Sequence, residues 1–370
     1  MNIPFFSFDI VHAEVRDQLR NAFDRIIQKG VFILGDELIQ FEKSFSIYNK
    51  VKYSIGVGSG YDAIYLSLKA LGLKAGDEVL VPAHTFVATW HAVKASGLKI
   101  VPVDVNPVTC NINTNLLGNF ITSKTRAIIP VHMYGQTCDM DEVLDFCRSQ
   151  QLYCIEDFAQ AHGAKYKDRL AGSMGDINAT SFYPVKNLGA LGDGGMITTN
   201  SEALYRSVAS KRNYGSWEKY SYQEVGINSR LDELQAAFLN VKLEVLESEN
   251  ARRKAIAFNY LEGLKGIGDL ILPVENEDCF HVYHLFVIRT AKRNQLKNYL
   301  LEKGIESSIH YPILPHLQSA YQSLGFVRGD YPIAESIAET CLSLPCYPGL
   351  SLANQDRIIE AIQDFYQKGI

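Results

Sequence analysis

The residues best suited to chemistry in this 370-residue chain are an acid and a lysine, each following a strand-like segment. Asp157 ends the segment LYCIED (152–157), and ligands of open α/β sheets bind beyond such carboxyl ends. A carboxylate there can pair with a pyridinium nitrogen and keep an aromatic cofactor ring electron-withdrawing. Gln160 lies on the same face if a helical turn begins after the acid. Taken alone, the acid reads equally well as a helix N-cap or a structural carboxylate.

The lysine lies in the segment 178–199, NATSFYPVKNLGALGDGGMITT, between the strand-like runs ATSFY and GGMITT. Lys186 is flanked by Pro184, Val185 and glycine turns, which is an unusual setting for a solvated charge. A lysine in a dry site loses its proton more easily and becomes an amine that forms an imine with an aldehyde cofactor. An ordinary surface lysine is the alternative. Ser181, in the same segment, offers a hydroxyl to a phosphate.

Two further segments suit a flat, phosphate-bearing ligand. GVGSGYDAI (56–64) is a glycine turn that opens a helix, and the free amides and positive dipole end of a helix N-terminus favour an anion. The turn matches neither GxGxxG nor a P-loop, so a plain turn stays an alternative. In PAHTFVATW (82–90), Phe86 follows a strand and is placed to cover a cofactor ring, with a core position as the alternative.

Other kinds of active site find little support. The nine histidines include no HExxH motif. His281 and His284 lie three residues apart in a strand pattern, which predicts opposite faces and no shared metal. A GxSxG nucleophile elbow is missing as well. We therefore predict no metal site and no serine-hydrolase chemistry.

The composition points to a globular protein of the cytoplasm. Hydrophobic residues make up 47% of the chain, and the net charge of -5 implies no attraction to nucleic acid or to anionic membranes. No apolar run reaches the roughly 18 residues of a membrane span. The N-terminal residues lack the basic region of a signal peptide. Seven scattered cysteines without CxxC spacing indicate reduced thiols.

Helix-like and strand-like patterns alternate through the first two thirds of the chain. The helical patterns cover 14–30, 36–50, 61–72, a stretch ending near residue 96, and 140–151. The strand patterns cover 53–60, 78–83, 99–105, 126–135 and 152–157. Such alternation predicts an α/β fold with a mostly parallel sheet between helices.

The pattern changes after about residue 230. A long helical pattern, as one helix or two, covers 229–264. Beyond it we expect a strand, a helix, a second strand and a last helix, at 281–290, 292–304, 305–311 and 354–367. This predicts two domains, a large one over 1–250 and a smaller α/β one over 251–370.

Taken in order, these motifs resemble a known family. GVGSGYDAI, PAHTFVAT, PVDV, PVHMYGQ, IEDFAQAHGA, SFYPVKNLGALGDGG and GINSRLDELQAA are similar to the sugar aminotransferases of the DegT/DnrJ/EryC1/StrS family. The resemblance runs through essentially the whole chain. It implies a fold-type I pyridoxal-phosphate (PLP) enzyme, with a seven-stranded type of sheet in the large domain and a smaller C-terminal domain.

The resemblance also assigns roles to residues. Lys186 would hold the cofactor as a Schiff base and later move protons. Asp157 would pair with the pyridine nitrogen, Gln160 would hydrogen-bond the ring hydroxyl and Phe86 would stack on the ring.

The same resemblance implies how the phosphate is held. The backbone amides of Gly60 and Tyr61 and the hydroxyl of Ser181 would bind it. Many family members have threonine where Tyr61 stands, so the side-chain hydroxyl of that position is in question. Asn228 matches an asparagine that reaches the phosphate from the other subunit of a homodimer, so the active site would be shared between subunits.

The lysine and the C-terminal part of the chain bear on the reaction. Pyridoxamine-dependent dehydratases of this family have histidine in place of the lysine, so Lys186 favours transamination. Segment 309–326, with HVYHLFVIRT before it, looks most like members that aminate carbon 3 of a nucleotide-linked 3-keto-6-deoxyhexose. The candidate sugar contacts are His310, Tyr311, His316, Tyr183 and segment 211–220, including Tyr214.

The implied reaction passes through pyridoxamine phosphate (PMP). L-glutamate would donate the amine to a nucleotide-linked keto sugar, with dTDP the favoured nucleotide. The product would be a 3-amino-3,6-dideoxyhexose for a surface polysaccharide such as a lipopolysaccharide or S-layer glycan. Two alternatives stay open: a carbon-4 aminotransferase, and a PLP-binding regulator without catalysis.

Overall fold

The computed structural model describes residues 2–218 and 220–369. The strands are, in chain order, β1 (Tyr53–Val57), β2 (Glu78–Pro82), β3 (Lys99–Val103), β4 (Thr125–Ile128), β5 (Tyr153–Asp157), β6 (Lys165–Tyr166), β7 (Arg169–Leu170), β8 (Ile177–Ser181), β9 (Gly195–Thr199), β10 (Ser216–Glu218), β11 (Ser221–Tyr222), β12 (Cys279–Phe280), β13 (Phe286–Arg289) and β14 (Cys341–Leu344).

Helices separate most of these strands. They are α1 (Phe8–Val11), α2 (Arg16–Lys29), α3 (Asp36–Asn49), α4 (Gly60–Ala70), α5 (Val87–Ala95), α6 (Met140–Gln150), α7 (Glu202–Lys211), α8 (Glu233–Leu243), α9 (Leu246–Leu264), α10 (Arg293–Glu302), α11 (Pro332–Thr340) and α12 (Leu352–Gln367). Short 3-10 helices lie at Thr114–Phe120, Met133–Gly135, Pro315–Leu317 and Ser319–Leu324.

Seven strands of the described residues form the central sheet, in the order β1-β9-β8-β5-β4-β2-β3. Strands β8, β5, β4, β2 and β3 pair in parallel, and β9 runs antiparallel to both β1 and β8. Helices cover both faces, so strands such as β2 are buried along their whole length. This confirms the predicted α/β fold with a mostly parallel sheet.

Two apolar layers hold the helices on this sheet. On one face, Trp90 of α5 and Leu66 of α4 pack with the sheet residues Val79 and Ile155. On the other face, Phe41 and Phe45 of α3 pack against Phe158 and Phe182. The carboxyl ends of β5 and β8 therefore open at one edge of a rigid sheet, and residues that follow these strands share a single cleft.

A second core lies around the antiparallel pair β13–β14. Helices α9, α10 and α12 bury residues such as Tyr260, Leu300 and Phe365 in this core, and Ile3 from the N-terminus joins them. The predicted domain boundary near residue 250 falls inside α9 and stays a prediction.

Several element predictions need correction. The strand predicted at 281–290 is formed only at Phe286–Arg289, because Val282 and Leu285 bond to the 134–135 turn instead. The strand predicted at 305–311 is not formed, since only isolated bridges at Ile305 and Ser308 tie it to neighbours. Helices α7 and α11 received no prediction. The long pattern at 229–264 is two helices, as one of its alternatives allowed.

Candidate active site

Asp157 lies at the carboxyl end of β5 and is 6% exposed. Its carboxylate accepts hydrogen bonds from the Thr89 hydroxyl at 3.0 Å and the Ala159 amide at 3.2 Å. Burial raises the pKa of the Asp157 carboxyl, and the two hydrogen bonds and the charge of Lys186 only partly oppose that rise. The Asp157 carboxylate is therefore fixed in position, but the positive charge near it does not offset the cost of its burial.

The preceding residue, Glu156, is also fully buried, and it points to the opposite face of the sheet. It accepts from the amides of Gly172 at 2.8 Å and Gly175 at 2.7 Å, and His132 Nε2 lies 2.9 Å from its Oε2. This carboxylate has all the partners that it needs and holds the 172–175 turn in place.

Lys186 lies in a closed loop between β8 and β9. The Lys186 amide donates to Tyr183 O at 2.9 Å, and the Ala190 amide donates to Phe182 O at 2.8 Å. A Cβ on Gly189 would lie 2.2 Å from Pro184 O, so only glycine permits this closure. Lys186 is partly exposed. Burial lowers its pKa to about 8, although the charge of Asp157 raises it.

Asn187 fixes the loop from behind. Its Nδ2 donates to Asn250 Oδ1 at 2.8 Å and to Val282 O at 3.2 Å, and His284 Nδ1 lies 3.1 Å from its Oδ1. Asn250 also donates to the carbonyl of His162 at 2.9 Å. A buried amide network therefore ties the lysine loop to helix α9 and to the second core.

Three imidazoles surround Lys186 without adding charge. Burial lowers the pKa of His162 to about 3 and that of His310 to about 4, and the charge of Lys186 lowers both further. The pKa of His284 is lowered well below its usual value for the same reasons. At neutral pH the lysine therefore faces neutral rings and one carboxylate.

The glycine turn meets this cleft at Ser181. A Cβ on Gly60 would lie 2.5 Å from Ser181 Cβ, so glycine allows the start of α4 to contact the end of β8. The Ser59 side chain caps α4 by accepting from the Asp62 amide at 3.1 Å. The first amides of a helix, here those of Gly60 and Tyr61, have no intrahelical acceptor. The turn therefore presents two amides and the Ser181 hydroxyl together.

Aromatic side chains close the other side of the cleft. The rings of Phe86 and Tyr311 lie 5.5 Å apart, and Phe86 is 53% exposed. Gln160 donates from Nε2 to the Tyr311 hydroxyl at 3.1 Å, and its Oε1 accepts from the Tyr134 amide at 2.7 Å. The negative charge of Asp157 raises the pKa of Tyr311, after burial as the larger cause.

The structure brings most of the predicted residues together and leaves others apart. Lys186, Asp157, His310 and Tyr311 interact electrostatically, and Gln160 and Phe86 both contact Tyr311. Ser181 and Gly60 contact each other at the carboxyl end of β8. Tyr183 is exposed beside the lysine loop.

His316 lies apart from this cluster. It is buried, its Nε2 lies 3.0 Å from Glu335 Oε1, and its ring packs on Tyr331. Asn228 is exposed and pairs with Asn213 through a β-bridge. Tyr214 lies next to Arg230. Within segment 211–220, Lys219 falls outside the described residues.

The residues that support the site from behind were not predicted from the sequence. Thr89, Asn187, Asn250 and His162 carry no local pattern that marks them. His284 was weighed only as a metal ligand in a strand. A signal was available for Asn187, because it directly follows the lysine. Among residues 2–218 and 220–369, no group of three or more His, Cys, Asp or Glu side chains is arranged to hold a metal ion.

The donor set fits a pyridoxal phosphate. A buried carboxylate with a raised pKa suits a cationic ring nitrogen, and a lysine amine of lowered pKa suits an aldehyde. Free helix amides at Gly60 and Tyr61, beside the Ser181 hydroxyl, suit a phosphate.

Comparisons with known proteins agree with this geometry. The model of the DegT/DnrJ/EryC1/StrS aminotransferase family matches residues 13–363. The dTDP-3-amino-3,4,6-trideoxy-alpha-D-glucose transaminase of Streptomyces venezuelae is 42% identical over 366 residues, which cover 99% of this chain and 97% of the relative. The dTDP-3-amino-3,6-dideoxy-alpha-D-galactopyranose transaminase of Aneurinibacillus thermoaerophilus is 43% identical over 363 residues, with 98% and 99% covered.

Solved structures give the same result. The crystal structure of S. venezuelae DesV superposes with a TM-score of 0.97 at 42% identity and covers 99% of each chain. That of NtdA from Bacillus subtilis with bound cofactor PMP gives a TM-score of 0.92 at 34% identity, covering 99% of this chain and 85% of that one. The predicted fold and family are confirmed. The chain belongs to the DegT/DnrJ/EryC1/StrS aminotransferase family.

Proposed function

We propose that this aminotransferase uses PLP to move the amino group of L-glutamate to carbon 3 of a dTDP-linked 3-keto-6-deoxyhexose. The product is a 3-amino-3,6-dideoxyhexose for a surface polysaccharide or glycan. The observation that carries the proposal is the Lys186–Asp157 pair. Burial lowers the pKa of the Lys186 amine and raises the pKa of the Asp157 carboxyl, and the two groups interact in one cleft. The names of the two relatives at 42% and 43% identity support dTDP and carbon 3.

Lys186 has the two tasks that need a deprotonated amine. Bound PLP supplies an aldehyde that accepts the amino group and a ring that withdraws electrons. Lys186 Nζ holds the aldehyde between turnovers and, once released, removes the proton from the α-carbon of the donor. A pKa of about 8 lies near working pH, where a base and its conjugate acid are both available. The neutral imidazoles around it add no competing positive charge.

Asp157 keeps the positive charge on the ring nitrogen. Its raised pKa means that the ionised form of the buried carboxyl is costly, and a cation beside it offsets that cost. Thr89 and the Ala159 amide fix the direction of the carboxylate. Gln160 and Phe86 then contact the hydroxyl and the face of the ring.

The glycine turn holds the phosphate end. The amides of Gly60 and Tyr61 and the hydroxyl of Ser181 bind the phosphate oxygens, and Asn228 of a second subunit adds an amide. For the sugar, we retain Tyr183, His310 and Tyr311 as proposed contacts because they lie at or beside the Lys186 cluster. His316, already engaged by Glu335, is a weaker candidate.

A homodimer completes the site in this proposal. Helix α2 leaves Phe23 and Ile27 exposed on one face, and the exposed apolar segment 31–34 follows it. Segment 31–34 is hydrogen-bonded to the start of α8, five residues after Asn228, because the Glu233 amide donates to Phe32 O at 3.0 Å. Apolar surface of this kind marks contact sites. The surface that carries Asn228 is thus continuous with one suited to a second copy.

The cytoplasm suits such an enzyme. All seven cysteines are free thiols in the structure, which agrees with a reducing compartment. Within the described part of the chain, no helix is long and apolar enough to cross a bilayer.

The regiochemistry is tested by offering two substrates. The purified enzyme with PLP and L-glutamate is incubated with dTDP-linked 3-keto and 4-keto 6-deoxyhexoses, and NMR locates the new amine. We expect an amine at carbon 3 and one equivalent of 2-oxoglutarate. An amine at carbon 4 would assign the carbon-4 alternative. Cofactor binding without amination of either sugar would favour the regulatory one.

A further inference from the structure

The amino donor of the proposed reaction carries two carboxylates, yet the Lys186 cleft offers little positive charge. Among the described residues, the charged group that shifts the pKa of Lys186 is the anion Asp157, and burial keeps the three nearby imidazoles neutral. Arg253 influences His284, but it is 2% exposed and donates to Cys346 O in the second core. A dicarboxylate therefore needs a cation from elsewhere.

Arg230 is a cation without an acidic partner in the part of the chain that the structure describes. Its Nη1 donates to Asn213 Oδ1 at 3.0 Å, and its guanidinium carbon lies 5.9 Å from the centre of the Tyr214 ring. The Nε atom is buried and finds no acceptor among residues 2–218 and 220–369. A buried donor left unpaired costs about 1–3 kcal/mol, so this arrangement favours an added acceptor.

Neighbouring basic residues are paired, which sets Arg230 apart. Lys211 forms an ion pair with Glu224, and Arg212 forms one with Glu42. In Arg230, Nη1 is used by Asn213, whereas the edge formed by the buried Nε and by Nη2 makes no hydrogen bond to a described residue. This edge presents two parallel donors, which is the geometry that binds a carboxylate through both oxygens.

The backbone places Arg230 on the same side as Asn228. The amides of Ile227 and Ser229 donate to Lys211 O at 2.8 Å and Arg212 O at 2.9 Å, in a strand-like pattern. Side chains in such a segment alternate between faces. Ser229 faces inward, where its hydroxyl accepts from the Gly58 amide at 2.9 Å and donates to Asp62 at 2.8 Å. Asn228 and Arg230 then share the opposite face.

We propose that Arg230 binds a carboxylate of the amino donor in the active site of the other subunit. The inference rests on the proposed function, which supplies the dicarboxylate donor and brings Asn228 to the other subunit's cofactor phosphate. Two residues of extended chain span roughly 7 Å, so Arg230 lies one small molecule away from that phosphate. Tyr214 and Asn213 are positioning residues that hold the guanidinium.

The first test measures binding without turnover. Calorimetry on the PLP-loaded enzyme follows glutarate, a dicarboxylate that cannot react. We expect Arg230→Gln to raise the glutarate Kd by about 10- to 100-fold, as the loss of a charged double hydrogen bond implies, with Arg230→Lys in between. In turnover, the KM for L-glutamate rises similarly, while the KM for the nucleotide sugar and the affinity for PLP stay unchanged.

Arg206→Gln is the matched control. Arg206 is an exposed arginine on α7 that pairs with Glu202 four residues away, so the same substitution there removes one charge from outside the site. It should leave the glutarate Kd unchanged. An unchanged Kd in Arg230→Gln as well would overturn the proposal. A rise only in the KM of the nucleotide sugar, or only in the PLP Kd, would overturn it too, because the guanidinium would then serve a phosphate.

Mixed dimers test which subunit Arg230 serves. A dimer of one Lys186→Ala subunit and one Arg230→Gln subunit has a single site with an intact lysine, and the other subunit supplies its Arg230. We expect a normal KM for L-glutamate at that site. A raised KM would show that Arg230 serves its own subunit and would contradict the proposal. If the wild type shows no glutamate-dependent amination, the proposed function fails instead, whatever the glutarate result.

Discussion

Two lysines, one within the loop between β8 and β9 and one bonded to it, differ in a way that separates function from structure. Burial lowers the pKa of both Lys186 and Lys242 to about 8. Lys242, 3% exposed, donates to the carbonyl of Gly189 and lies 3.2 Å from His12 Nε2. Lys186 Nζ makes no hydrogen bond to any described residue. Desolvation alone therefore does not distinguish the two lysines. What distinguishes Lys186 is that its amine has no hydrogen-bond partner among the described residues.

The adjacent carboxylates repeat this contrast. Glu156 is bonded to the amides of the 172–175 turn and to His132, while Asp157 keeps a raised pKa because its partners are too few. In both pairs, the group with more hydrogen-bond partners holds the fold, and the group with fewer faces the cleft. Changing one member of each pair should affect activity, and changing the other should affect stability.

The largest effect is expected from Lys186→Ala. It removes the amine that holds the cofactor and moves the proton, so turnover should fall by about 10⁴-fold or more, and the visible absorbance of bound PLP should be lost. Steady-state kinetics and absorbance spectra measure both. A variant that kept its turnover would end the assignment of Lys186.

Asp157→Asn should come next. The amide keeps the shape and the Thr89 contact but cannot balance a cationic ring, so kcat should fall by roughly 10²- to 10³-fold while the cofactor still binds. Glu156→Gln is the matched control. This variant should lose thermal stability while its kcat changes little. Equal falls in kcat in the two variants would contradict the assignment of Asp157 to catalysis and of Glu156 to the fold.

Lys242→Met should mainly destabilise the fold. The Gly189 carbonyl would lose its buried donor, at a cost of about 1–3 kcal/mol in the free energy of unfolding. The visible absorbance of bound PLP should survive, since Lys186 is intact. Denaturant unfolding measures the loss. Loss of the absorbance in a folded Lys242→Met variant would contradict the structural role.

The smallest effect is a dependence of stability on pH. Each lysine loses its proton near pH 8 in the folded apoprotein but near its ordinary pKa of 10.5 when unfolded. Between these values the unfolded state binds more protons, so each lysine makes the protein more stable as pH rises from about 8 to 10.5. The rise, measured against the matching Lys→Met variant, should be steeper for Lys242, because water reaches part of Lys186. Equal slopes would contradict the difference in exposure.

Sequence patterns predicted the central sheet well because its strands are short apolar runs between glycine turns and amphipathic helices. Asp157 was found because it ends a strand whose carboxyl end can bind a ligand, and Lys186 because a lysine between glycine turns is unusual for a solvated charge. The family resemblance gave both residues their roles. The strand predicted at 305–311 was wrong because His310 and Tyr311 are held by contacts from distant segments. Their partners, Ser343 and Gln160, have no local relation to them.

The residues that support the lysine loop could not be predicted from the sequence for the same reason. Asn187 and Asn250 are 63 positions apart, and only the packing of α9 behind the lysine loop brings their amides together. Arg230 was not singled out because an arginine beside an asparagine carries no pattern. Its distinguishing feature, a buried Nε without an acceptor, exists only in the folded chain.

Covalent trapping tests the assignment of Lys186 most directly. The PLP-loaded enzyme is treated with borohydride, which fixes a lysine-bound cofactor permanently, and the labelled peptide is then identified by mass spectrometry. We expect one label per chain, on Lys186, and none in the Lys186→Ala variant. A label on Lys242, or no label on an enzyme that still transaminates, would contradict it.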